Sequence, residues 1–176
     1  MRNFFGKLEI AANVATILVA VLLGSGLTHR YFYPAPISGA QQPNKLQNGS
    51  QLQLAGVDWN QSDKTLVLVL STTCKFCIES TSFYQRLSSA RSGRSDLRLF
   101  AVLPQTHDES SKYLSAGSIL VDGIQNARPS DLQVNGTPTL ILVDHEGKVV
   151  NSWVGKLPPE KEAEVFSTVF GNSADL

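Results

Sequence analysis

Two cysteines occur in the 176 residues, Cys74 and Cys77, separated by Lys75 and Phe76. A structural disulfide framework needs more cysteines at wider spacings, and a bond across so short a loop restricts the unfolded chain little. Chemistry is the better use of the pair. Disulfide exchange runs through a thiolate, so the attacking cysteine needs its pKa lowered toward ambient pH. A helix N-terminus does this with unpaired N–H groups and the positive end of its dipole. The chain offers such a place. Residues 65–70 read TLVLVL, a strand buried on both faces, and Ser71, Thr72 and Thr73 then supply N-cap chemistry for a helix expected over 74–88. Cys74 is the expected exposed attacker, with the Lys75 charge beside it. Cys77, one turn further on, is the more buried resolving residue.

A CxxC pair is also half of a zinc site. The only histidines are His29, His107 and His145. His29 follows the apolar N-terminal run, the other two fall in a loop and a turn, and none has HxxxH-type spacing. Two thiolates can also hold Cu(I), so a binding module or copper metallochaperone stands as the alternative to catalysis. No cofactor beyond the redox-active cysteine pair is expected, and no metal. Lys and Arg number 15, Asp and Glu 15, for a net charge of zero. With no basic stripe, RNA-binding signature or phosphate-cradling Gly-Lys loop, nucleic acid and nucleotides are not expected partners.

The elements that must position the pair follow an α/β order. A second strand is expected over 97–102, ended by Pro104, then a short helix over 109–116 and a short strand over 118–121. The Asn135-Gly136-Thr137-Pro138 break precedes a strand over 139–143. Asp144 to Gly147 form a turn, 148–154 completes a hairpin, and Pro158 and Pro159 open a last helix to about 170. The expected product is a mixed sheet with helices on both faces. Phe76, Phe83 and Leu87 share one side of the first helix at helical spacing. Trp59 and Trp153 read as packing residues, and Asp144-His145-Glu146 as a hairpin turn.

Ahead of this domain lies a different kind of sequence. Arg2 and Lys7 precede an uncharged apolar run over 10–27, and Phe4, Phe5, Tyr31, Phe32 and Tyr33 flank it. At ~1.5 Å per helical residue the run spans about 27 Å, near the roughly 30 Å of a bilayer core. Aromatic residues at both ends suit the two interfaces. Residues 1–30 thus read as a signal anchor with a transmembrane helix, its N-terminus cytoplasmic. The alternative is a cleaved secretory signal with Gly24 and Gly26 at the cleavage site. Either way the rest is exported. Residues 31–53, rich in Pro, Gly, Asn, Gln and Ser, read as a flexible tether, and 54–176 as the exported domain.

Over 58–170 the chain resembles the thioredoxin superfamily in three elements in the right order: the strand leading into Cys74-Lys75-Phe76-Cys77, the Gly136-Thr137-Pro138-Thr139 break, and Trp153-Val154-Gly155-Lys156-Leu157 entering the final helix. The resemblance implies a thioredoxin-like mixed sheet flanked by helices. It further implies a cis Thr137–Pro138 bond lying against the two sulfurs, with the Thr137 backbone free to pair with a substrate strand. Cys74 and Cys77 would be catalytic, and Thr137, Pro138, Lys75 and Phe76 would contact substrate. The anchor and the insertion over 103–134 resemble the membrane-anchored TlpA/ResA-like branch, whose members often reduce a specific exported substrate. That implies a membrane-tethered reductase in the periplasm or its equivalent, with an exported thiol or disulfide protein and a membrane or periplasmic electron donor as partners. The chain departs from the family at two places. Thr73 replaces the tryptophan before the first cysteine, and Leu68 replaces the buried acid six residues earlier, so Glu79 and Glu109 are the remaining candidates for proton acceptor. A peroxiredoxin-type peroxidase would need Pro and Thr where Val67 and Ser71 stand. Copper-delivery relatives use CxxxC and a distant histidine.

Overall fold

The computed structural model describes residues 46–171. The apolar run at 10–27 and residues 31–45 of the expected tether lie outside them. Among the described residues no helix is long and apolar enough to cross a membrane. Five strands form one mixed sheet: β1 (Lys64–Val69), β2 (Leu97–Leu103), β3 (Gly123–Asn126), β4 (Thr139–Asp144) and β5 (Val149–Val154), in the order β3-β2-β1-β4-β5. β1, β2 and β3 run parallel, while β4 is antiparallel to both β1 and β5. Among the described residues four α-helices accompany them: α1 (Lys75–Glu79), α2 (Thr81–Arg91), α3 (His107–Ala116) and α4 (Pro159–Phe170). β1 sits at the centre and buries every residue from Thr65 to Val69, which is why its sequence shows no polar alternation.

The period of two along each strand divides the core. Leu66, Leu68 and Leu70 join Leu99, Ala101, Leu140 and Leu142 on one face, under Phe83, Tyr84 and Leu87 of α2, Leu114 of α3, and Val165 and Val169 of α4. Val67 and Val69 join Phe100, Val102, Ile141 and Val143 on the other, under Leu46, Leu52, Trp59, Leu132 and Val134. The expectation of helices on both faces is therefore corrected. Among the described residues every buried apolar side chain of the α-helices belongs to the first face, and irregular chain with two 3-10 turns, Trp59–Gln61 and Pro129–Leu132, covers the second. The second turn cannot lengthen, because Pro129 opens it and Gln133 closes it in the left-handed region at φ 58°. The end of the expected tether belongs to this cover. Gly49 N–H donates to the Val149 carbonyl at 2.6 Å, Val149 N–H to that of Ser50 at 2.9 Å, and Leu52 N–H to that of Gly147 at 2.9 Å. Gly147, at φ 78°, also leaves room for the Trp59 ring, which an added Cβ would meet at 2.4 Å.

Two further expectations change. The helix expected over 74–88 is divided at Ser80, whose φ of −96° and ψ of 6° leave the helical region. Ser80 Oγ donates to the Phe76 carbonyl at 2.8 Å and Thr81 Oγ1 to that of Ile78 at 2.8 Å, the side-chain back-bonding that bends helices. Phe76 is 53% exposed, while Phe83 and Leu87 of α2 lie in the core. The strand expected over 118–121 lies instead at Gly123–Asn126. Ser118, at φ 50°, and the Ile119 N–H bond to the Leu114 carbonyl spend the apolar residues on closing α3. Pairing with β2 begins only at Gly123, opposite Phe100. A Cβ at Gly123 would lie 2.2 Å from the Phe100 ring. Gly123→Ala should therefore cost about 1–3 kcal/mol of stability, read as a lower urea midpoint with an unchanged slope. An unchanged midpoint would mean that β3 gives way without strain.

Candidate active site

Cys74 occupies the N-cap of α1, in an extended conformation at φ −83° and ψ 113°. Its sulfur accepts the Cys77 N–H at 3.3 Å, so one of the helix's unpaired donors points at the sulfur that must carry charge. The approach from β1 is held by a residue that sequence reasoning passed over. Gln105, just beyond β2, accepts the Thr72 N–H at 3.3 Å through Oε1 and donates to Ser71 Oγ at 3.2 Å through Nε2. Only the parallel pairing of β1 and β2 brings it there; nothing in the Pro104-Gln105 sequence signals the role.

The antiparallel register of β1 and β4 sets Val69 opposite Thr139 and so delivers the Gly136–Pro138 loop to the end of β1. The Thr137–Pro138 bond is cis. The Cys74 thiol donates to the Thr137 carbonyl at 3.2 Å, and the Pro138 carbonyl accepts the Gly155 N–H at 2.7 Å. The three sequence elements noted above therefore meet at one point. Pro138 is buried and Thr137 half-buried, so the loop offers backbone at the edge of the site.

The cysteines are both free thiols in unlike surroundings, Cys74 half-buried and Cys77 fully buried. Burial pushes the Cys74 thiol up, but the Cys77 thiol, the Thr137 side chain and the Cys77 and Phe76 backbone outweigh it, and the net shift is downward. Burial pushes the Cys77 thiol up to about 12, and the hydrogen bond to Cys74 pushes the same way. One proton is thus held preferentially on Cys77, leaving Cys74 as the group that ionises. The groups that lower Cys74 are Cys77, Thr137 and Phe76, and the Lys75 ammonium points elsewhere to an acid. Its side chain is 82% exposed and lies 3.7 Å from Glu79.

Neither candidate acid is free to take a proton from the pair. The hydrogen bond from Lys156, 2.8 Å away, holds the exposed Glu79 carboxyl below its usual range. Glu109 is the capping-box residue of α3, and its hydrogen bonds with Thr106 lower it likewise. Leu68 is fully buried on β1. Trp153 is buried with Nε1 donating to Glu164 at 3.0 Å, Trp59 is buried in the second core, and Asp144 accepts the Glu146 and Lys148 N–H groups within its turn. His107 begins α3, and His145 lies in the β4–β5 turn. Among the described residues no three of His, Cys, Asp and Glu cluster as metal ligands do.

The sequence pattern of the thioredoxin-like domain family matches residues 53–170. No curated protein matches the chain in sequence. Among solved structures, the thioredoxin domain of a thiol-disulfide oxidoreductase from Bacteroides vulgatus superposes with a TM-score of 0.54 at 19% identity, covering 70% of this chain and 99% of that one. A thiol:disulfide interchange protein from Bacteroides sp. gives 0.54 at 20% identity, covering 73% and 94%. A thiol-disulfide isomerase from Corynebacterium glutamicum gives 0.52 at 15% identity, covering 73% and 96%. At such identities the likeness to each is one of fold. With its family pattern spanning all five strands and the fold arranged around Cys74, Cys77 and the cis Pro138 loop, the chain belongs to the thioredoxin-like family.

Proposed function

We propose that the protein is a membrane-tethered thiol-disulfide oxidoreductase of the TlpA/ResA-like kind, acting as a reductase on exported proteins. The observation that carries this reading is the Cys74 sulfur, half-exposed at a helix N-cap, bonded to the Cys77 N–H and set against the Thr137 carbonyl. The Cys74 thiolate attacks a substrate disulfide, forming a mixed disulfide and expelling one substrate thiolate. Cys77 then loses its proton and attacks the Cys74 sulfur. The Cys74–Cys77 disulfide forms, the second substrate sulfur leaves with the bonding pair and takes up a proton, and two electrons have passed to the substrate. The backbone at Thr137 and Pro138 lines the approach, and exposed Phe76 and Lys75 border it, so these four are the proposed substrate contacts. The apolar run at 10–27 supports tethering with the domain on the extracytoplasmic side, where a membrane or periplasmic donor would restore the dithiol.

Equilibrating the full-length protein with glutathione or dithiothreitol buffers tests the chemistry and its direction. A reversible two-electron couple near thioredoxin's potential, about −270 mV, is the expected result. A couple near −120 mV, roughly that of a strong oxidant, would keep the exchange reaction and reverse its direction. Failure to form any reversible disulfide would sink the catalytic reading.

A further inference from the structure

Two hydroxyl groups stand out in the otherwise apolar interior beside the cysteines. Tyr84 Oη of α2 and Tyr113 Oη of α3 are both buried and make no hydrogen bond of ordinary length, although the Ser80 hydroxyl is near enough to act on the Tyr84 phenol. Such a group loses its hydration without compensation, and phenylalanine would fill either site without that loss. Tyr84 belongs to the core cluster that contains Cys77, and Tyr113, like Cys74, packs against it. Tyr84 follows Cys77 by seven residues. The backbone ladder passes through the bend at Ser80, since Ser80 N–H donates to the Phe76 carbonyl at 3.1 Å and Tyr84 N–H to that of Ser80 at 3.2 Å. Two turns therefore separate the residues on one side of the rod, and a long helical side chain leans back toward the N-terminus, here toward Cys77. Both phenols lie close enough to the cysteines for charge on either sulfur to push them up.

Resting on the oxidoreductase reading, we propose that Tyr84, assisted by Tyr113, is the positioning residue that stabilises the Cys77 thiolate when Cys77 resolves the mixed disulfide. The Ser71 backbone and the Thr137 side chain each favour the Cys77 thiolate by a hydrogen bond, but burial outweighs them and the net shift stays upward. In its core cluster β1 contributes Leu66 and Leu68, the residue after it Leu70, β4 Leu140 and Leu142, β5 Trp153, and α4 Val165 and Val169. The titratable groups around it are Cys74, Tyr84 and Tyr113, while Lys75, Glu79 and Lys156 form an exposed ion network on the outside of α1. A neutral phenol raised in pKa by burial is no base, but it is a good donor. The balance is unchanged: the Cys77 sulfur bonds to Cys74, the Cys74–substrate bond breaks toward the substrate sulfur, and the Cys77 proton ends on that departing sulfur. The phenol hydroxyl donates a hydrogen bond to the transient anion and keeps its own proton.

Rapid mixing of the reduced full-length protein with a chromogenic aryl disulfide separates the two steps, since attack by Cys74 releases one coloured thiolate and resolution by Cys77 releases the other. In Tyr84→Phe the first release should keep its rate. The second should slow about tenfold at neutral pH, with its pH midpoint about one unit higher. Tyr113→Phe should act in the same direction, and thermal stability in both should be unchanged or raised. A second release with wild-type rate and midpoint in both variants would overturn the proposal. So would losses in both releases that merely follow a fall in stability. A wild-type protein that releases only one thiolate would overturn the oxidoreductase reading, and the proposal with it.

Discussion

Cys74→Ser should abolish disulfide reduction, lowering turnover by about three orders of magnitude or more, because a hydroxyl at the N-cap supplies no thiolate. Cys77→Ser should fail differently. Attack by Cys74 survives and resolution does not, so the mixed disulfide with a protein substrate accumulates. Non-reducing electrophoresis and mass spectrometry of the full-length variants would show a covalent adduct in Cys77→Ser and none in Cys74→Ser. The pH dependence follows from the direction of the Cys74 shift. Its folded pKa lies below the ordinary thiol value of 9.0, so the attack rate rises with pH through that lowered value and levels off before pH 9.0. Adducts formed equally well by either single variant would show that the buried Cys77 attacks too, contrary to its burial and raised pKa.

The reduced protein should lose stability on the alkaline side. Cys77 ionises near 9.0 as an ordinary thiol but only near about 12 in the fold, with burial the first cause. Between those values the unfolded chain releases a proton that the folded chain retains, so rising pH favours unfolding. The contribution is whole below pH 9.0 and is lost progressively as pH approaches about 12. Burial likewise raises Tyr84, and raises Tyr113 from 10.0 to about 12. At roughly 1.4 kcal/mol per pH unit, Cys77 by itself is worth a few kcal/mol, a large part of the ~5–15 kcal/mol typical of a domain. The melting temperature under reducing conditions should fall by ~10 °C between about pH 8 and about pH 11. The oxidised form, which has no Cys77 thiol, should fall less. A flat profile in the reduced form would mean that these groups are hydrated in the native state.

Strong local signals were legible, and they were the ones backed by chain chemistry alone. The TLVLVL run, the 97–102 strand, the 139–143 and 148–154 hairpin and the Pro-opened final helix all appear within about one residue of their expected bounds. Each combines a clear period with a turn or proline boundary. Weaker segments went astray where two uses competed for the same residues. Ile119 and Val121 have strand character but pack beneath the end of α3, and the pairing moved to Gly123 because only glycine lets β3 pass over Phe100. Helical spacing read as one continuous helix over 74–88, yet Ser80 and Thr81 bend the chain and divide it.

What the sequence by itself determined was the reactive pair, its placement after a buried strand and the three segments that resemble the thioredoxin superfamily, since residue identity and short-range spacing carry those properties. Tertiary structure decided the rest of the site. The β1–β4 register brought the Thr137 carbonyl to 3.2 Å from Cys74, and β1–β2 pairing brought Gln105 to the loop before it. The same packing separated two chemically identical thiols into a half-exposed one with a lowered pKa and a buried one with a raised pKa, and enclosed two tyrosine hydroxyls beside them. Burial and contacts between residues distant in the chain set a pKa, and these exist only after the strands have paired and the helices have closed over one face.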